Sequence, residues 1–96
     1  MSGILRLTAV DPVIHGVLRL VWDDGYEGVL DLRPVIARGK ILGPLQDPAL
    51  FAKVQLDPHG HGISWRGPDG EDIDFGADAL RADTEKQAKL HQLVGH

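Results

Sequence analysis

Residues 17–31 read VLRLVWDDGYEGVLD, and the phasing of this stretch about Asp23, Asp24 and Gly25 decides the fold. Two apolar runs rich in β-formers flank an Asp-Gly turn signal, which predicts a β-hairpin. A two-residue loop on Asp24-Gly25 would place Trp22 and Leu20 on one face with Glu27 and Asp31. A three-residue loop, Asp23-Asp24-Gly25 with Gly25 left-handed, instead sets Trp22, Leu20 and Leu18 opposite Tyr26, Gly28 and Leu30. The other face then carries Val17, Arg19 and Val21 against Glu27, Val29 and Asp31, with Arg19 diagonal to both acids. One residue of slip exchanges the faces, so the loop that sorts apolar from charged side chains is the expected one. Gly28 then lies mid-face, where its missing side chain leaves room for Trp22 or Trp65; the alternative is the floor of a ligand groove.

Working outward, residues 4–10 alternate and predict a strand ended by Asp11-Pro12. Residues 13–22 read as one strand with Gly16 as a bulge. Pro34 opens a short helix that Gly39 closes, and Asp47-Pro48 repeats that start signal, with Leu50 and Phe51 on the buried side. Residues 53–57 and 63–66 form a second hairpin through Pro58-His59-Gly60-His61, pairing Leu56 with Ile63 and Val54 with Trp65. After a turn at residues 67–70, residues 71–75 give an edge strand with Ile73 and Phe75 inward and acids outward. Residues 84–94 predict a helix with a thin apolar stripe of Ala88, Leu90, Leu93 and Val94. The expected core is Leu18, Trp22, Tyr26, Leu30, Phe51, Leu56 and Trp65.

The 96 residues, with 10 Lys and Arg against 14 Asp and Glu, give a net charge of −4 and a pI of about 5.6, which argues against a generally basic nucleic-acid binder. There is no cysteine, which removes disulfides and thiol chemistry. No apolar run reaches the roughly 18 residues of a membrane-spanning helix, and no signal peptide is read at the N-terminus; a cytoplasmic location is expected. Aliphatic hydroxyls are confined to Ser2, Thr8, Ser64 and Thr84, none in a nucleophile-elbow pattern. His59-Gly60-His61, with Asp57 nearby, is the spacing nearest to a metal site, although two imidazoles on a hairpin tip need no ligand to explain them. The acids of residues 69–74 lack the order of a calcium loop. Arg33, Arg38, Lys40 and Arg66 could form a contact patch, or simply solvate the surface.

The ordered motifs Trp22-Asp23-Asp24-Gly25, Gly28-Val29-Leu30-Asp31-Leu32, Pro34 through Leu45, Asp47-Pro48-Ala49-Leu50-Phe51, Val54 to Asp57 and Ile63-Ser64-Trp65 resemble the bacterial family called domain of unknown function 2442. The stretch after Trp65, residues 67–74, is longer than the family's Asn-Gly-x-Asp-x-Asp pattern. The resemblance, over roughly residues 4–80, implies a small α+β domain with no established activity and no catalytic residues to carry over. It also implies a regulatory or partner-binding module, since members often lie beside another small gene in a toxin–antitoxin-like arrangement. Some members are fused to a helix-turn-helix domain, for which no room is expected after residue 96.

Together these readings predict an α+β fold: a small antiparallel sheet, made of a three-stranded meander plus a second hairpin, with short helices and a C-terminal helix. A single domain over residues 1–96 is expected, with residues 4–76 as its core and residues 77–96 as a loosely packed helical segment. The function expected is a non-catalytic protein-interaction or regulatory module, antitoxin-like in kind, with Arg33, Arg38, Lys40, Leu90 and Leu93 as its contact surface. Its partner would be a protein, such as a neighbouring gene product, or a second copy in a homodimer. Neither cofactor, nucleic acid nor membrane is expected. The alternative is a metal- or small-ligand-binding protein, enzymatic or not, using His59 and His61.

Overall fold

Trp22 donates its backbone N–H to Tyr26 and receives that of Gly25, so the chain reverses over the three residues Asp23, Asp24 and Gly25. Gly25 takes φ +91°, the left-handed geometry that closes such a loop. The register that follows is the one that sorts the faces: Leu18 opposite Leu30, Leu20 opposite Gly28, Arg19 opposite Val29. The structure is a computed structural model describing residues 5–40 and 42–94, with side chains described through residue 90.

Two three-stranded antiparallel sheets make up the framework of this α+β fold. The first holds β1 (Leu7–Ile14), β2 (Val17–Trp22) and β3 (Glu27–Asp31) in that order. Helix α1 (Arg33–Ala37), a 3-10 turn (Gly43–Gln46) and helix α2 (Pro48–Phe51) cross to the second sheet. There β4 (Gln55–Leu56), β5 (Gly62–Arg66) and β6 (Asp72–Gly76) form their own meander, and α3 (Ala77–Val94) follows directly. The predicted second hairpin is thus part of a separate sheet, completed by the acidic edge strand. Its register has Leu56 opposite Ile63 as expected, but β4 is only two residues long and Val54 lies outside the ladder.

Several boundaries differ from the sequence reading. β1 starts at Leu7 and runs through Asp11-Pro12 to Ile14. An edge strand tolerates Pro12 because no further strand needs its missing N–H, and the pairing is irregular between Pro12 and Ile14. Residues 13–22 do not form one strand: His15-Gly16 is a turn, with Gly16 at φ +89°, rather than a bulge. Helix α3 begins at Ala77, not near Thr84. Its first turn carries Asp78, and the Ala77 N–H is satisfied at 2.8 Å by the His61 carbonyl from the second sheet's loop. Asp47 does cap α2 as expected, accepting the Ala49 N–H at 3.0 Å.

One apolar cluster joins all these parts. Leu18, Leu20, Trp22 and Leu30 from the first sheet meet Ile63, Trp65 and Ile73 from the second, with Ile36, Leu45, Phe51, Ala77 and Leu80 from the helical segments. Trp22 and Trp65 are 1% and 0% exposed. Full burial of one such large apolar side chain contributes about 1.5–3 kcal/mol. Each indole also has a polar partner: Trp22 donates to the Ala77 carbonyl at 3.3 Å and Trp65 to the Phe51 carbonyl at 2.9 Å. Tyr26 and Leu56 pack half-buried against the cluster. The space left by Gly28 is taken by Thr84 of α3 and the Tyr26 ring, not by an indole.

Candidate interaction surface

Because side chains alternate across a strand, the odd-numbered residues of β2 and β3 face away from the core. At one end of this outer face Arg19 is held between Glu27 (Nε–Oε2 2.5 Å) and Asp11 (3.1 Å). The Glu27 carboxylate, followed by Asp11, raises the guanidinium's pKa further. Asp31, the other acid expected near Arg19, pairs instead with Arg33, which reaches both its carboxylate oxygens at 2.9 Å. Between these closed ion pairs the charge runs out. Ile14 and Val29 are 55% and 54% exposed. With Val17, Ala88, Asp31, Arg33 and Gln87 they line an open groove of about 540 Å³ between the sheet and α3.

Helix α3 borders this groove in an uneven way. Its first half is anchored by buried Ala77, Leu80 and Thr84. Arg81 lies over the Tyr26 ring (4.1 Å to its centroid) and near Trp22 (5.4 Å), paired with Asp24 and Glu85. Asp24 is held below the usual carboxylate range, first by the Tyr26 N–H and then by Arg81. From residue 85 to 90 only Gln87 is half-buried; the others are exposed. Gln87 accepts the Asp31 N–H at 2.9 Å and donates to the Asp31 carbonyl at 3.0 Å, as a neighbouring strand residue would.

The residues singled out from sequence are spread over the molecule. Asp57 accepts the backbone N–H of His59 (2.8 Å) and His61 (3.2 Å), His61's bond being the larger influence that holds its carboxyl low. The two imidazoles are 5.8 Å apart and exposed, and His61 Nδ1 is 4.0 Å from Asp57. Among the described residues no three His, Asp or Glu side chains are placed to hold one metal ion. His61 and Asp57 border a shallow groove of about 390 Å³ over Gly62 and Gly76, with Ser64, Asp72 and Asp74. Lys40 lines a separate concavity with Asp69, Glu71 and Asp72, while exposed Arg38 follows α1. Leu90 is 50% exposed on α3; the Leu93 side chain lies outside the described residues. Among the described residues no helix is long and apolar enough to cross a membrane.

Sequence reasoning missed Ile14, Val29, Gln87 and Arg81. Val29 did carry a signal, since three valines on a face predicted to be wet are an apolar surplus. Gln87 and Arg81 carried none, because their roles depend on where α3 meets β3 and the hairpin loop.

A model of the family described as "Protein of unknown function (DUF2442)" matches residues 7–85. No functionally curated protein matches the chain. A similar solved structure is the crystal structure of the "Putative DNA Binding Protein NE0471" from Nitrosomonas europaea ATCC 19718. It is 30% identical, with a TM-score of 0.69 over 90% of this chain and 52% of that one. The chain therefore spans about half the length of that protein.

Proposed function

The chain belongs to the DUF2442 family, and from that premise we propose that it is a non-catalytic module that binds a protein partner, regulatory and antitoxin-like in kind. The observation that carries this reading is the groove between the outer face of the first sheet and α3, where Ile14 and Val29 stand more than half exposed beside Val17 and Ala88. Apolar side chains left exposed side by side and rimmed by polar groups offer a contact surface. The chemistry-bearing groups elsewhere support the same reading, since they serve the fold. Asp57 ties down its own loop, Arg81 bridges helix to hairpin, and the Thr84 hydroxyl bonds the Leu80 carbonyl.

The Nitrosomonas protein's description weighs against setting nucleic acid aside. Here, though, Arg33 is spent on Asp31 and Lys40 borders acids, so the cations expected to form a patch are partly neutralised. Protein contact is favoured on that ground. The test is recovery of bound partners from the native host with tagged wild type, Val29→Lys and the remote control Lys53→Glu. A partner kept by wild type and control but lost with Val29→Lys supports the reading; identical recovery from all three refutes it. Retardation of a DNA duplex at low salt, abolished by Arg38→Glu with Lys40→Glu, would replace it with a nucleic-acid function.

A further inference from the structure

Two successive carbonyls on the β4–β5 loop fasten β1 and α3 to the second sheet. The Gly60 carbonyl accepts the Leu7 N–H of β1 at 2.8 Å, and the His61 carbonyl accepts the Ala77 N–H at the root of α3, also at 2.8 Å. Among the described residues no other backbone hydrogen bond joins the first sheet to this loop or to the second sheet. Asp57 orders the stretch: its Oδ2 accepts the N–H of His59 at 2.8 Å and that of His61 at 3.2 Å. The His61 N–H and the Gly60 C=O belong to one peptide unit, so that unit is gripped at both ends, by Asp57 and by Leu7. A charged acceptor on the N–H polarises the amide and strengthens its carbonyl as an acceptor in turn. Gly60 takes φ +74°, and a Cβ there would come within 2.6 Å of the Leu7 carbonyl oxygen, so only glycine lets the two backbones meet.

We propose that residues 57–61 form a charge-held latch: while the Asp57 carboxylate grips the 60–61 peptide, β1 and the root of α3 are fastened together, and when it lets go both loosen together. In the loosened arrangement the 60–61 peptide plane turns about its flanking Cα atoms, a change that glycine admits on its side. That turn carries the Gly60 carbonyl off Leu7 and, through the backbone of His61, draws the next carbonyl from Ala77. The root of α3 keeps a second tie, the Trp22 indole N–H on the Ala77 carbonyl at 3.3 Å, so the helix slackens without detaching. The imidazoles of His59 and His61 stand outside the latch: they are exposed, and it is the backbone N–H groups of these residues that Asp57 binds. The His-Gly-His spacing thereby gains a mechanical use in place of a metal. The latch acts on the seam between the two sheets, whatever partner the chain binds.

Amide hydrogen exchange of the full chain, followed by NMR at neutral pH, reads the latch at Leu7 and Ala77. The Leu32 amide, bonded to the Gly16 carbonyl at 2.7 Å and sharing no bond with the loop, is the reference for global opening. Asp57→Ala is expected to speed exchange at Leu7 and at Ala77 by roughly tenfold more than at Leu32. Asp57→Asn keeps an acceptor oxygen but loses the charge, and is expected to give an excess of about threefold at both amides. Gly60→Ala is expected to speed Ala77 along with Leu7, although the atoms its methyl meets belong to Arg6 and Leu7. Asp57→Asn and Gly60→Ala carry the test if Asp57→Ala does not fold. Exchange at Leu7 and Ala77 that rises no more than at Leu32, or a rise at one of the two amides without the other, overturns the proposal.

Discussion

Gly28→Ala tests how α3 is seated on the first sheet. A Cβ built at Gly28 would be 3.2 Å from Tyr26 Cε2 and would overlap Thr84 Cγ2, closer than real methyl groups approach. Thr84 is 1% exposed and its hydroxyl donates to the Leu80 carbonyl at 2.7 Å, so its methyl cannot turn aside without breaking that bond. Overpacking of this kind costs about 1–3 kcal/mol. Alanine restricts the unfolded chain and returns about 0.4–1 kcal/mol, leaving a net loss of up to about 2.6 kcal/mol and of about 1.3 kcal/mol at the midpoints. For a chain near 100 residues the midpoint loss lowers Tm by roughly 5–10 °C in scanning calorimetry. Thr84→Ser removes the obstructing methyl and keeps the hydroxyl, at a cost of about 1 kcal/mol alone. In that background Gly28→Ala is expected to be nearly neutral, giving a coupling of at least about 0.5 kcal/mol. Additive single effects, or a Gly28→Ala protein as stable as wild type, would refute the reasoning.

Asp57 and Asp24 are both held below the ordinary carboxylate range, chiefly by backbone N–H donors, from His61 and Tyr26 respectively. A folded value below the unfolded one, near roughly 3.9, means their stabilisation is complete above that pH and is lost as pH falls through the lowered value. Asp57→Asn should therefore flatten the fall in Tm between about pH 5 and pH 3, and an unchanged slope would count against it. Arg81→Met keeps the apolar stem but removes the ring contact and both ion pairs of a side chain that is only 15% exposed. A loss of about 1–2 kcal/mol, read as a lower urea midpoint at constant m, is expected, with Arg81→Lys recovering about half.

The hairpin about Gly25 was legible because its information is local: alternation on both arms and a turn residue between them admit only one register that segregates the faces. The Asp47-Pro48 helix start was legible for the same reason. Gly16 was not, since His15-Gly16 lacks the Asn-Gly or Asp-Gly signature and stands inside a run that is apolar on both sides. Pro12 argues against a strand only when both flanks are paired, and nothing local reveals that β1 is an edge. The start of α3 was hidden because its first N–H finds a carbonyl from a distant loop instead of a capping side chain. The candidate surface was half visible. Alternation placed Val29 on the outer face without marking it as a contact residue, whereas Gln87 acquires its meaning only 56 residues away, at Asp31.

The indole bonds of Trp22 to Ala77 and of Trp65 to Phe51 make the molecule its own optical gauge. Each ring reports on a different seam, the first on the root of α3 and the second on α2 against the second sheet. With Trp65→Phe the emission colour follows only the long helix, and with Trp22→Phe only the crossover. The order in which the two signals redden during denaturation then tells which seam opens first.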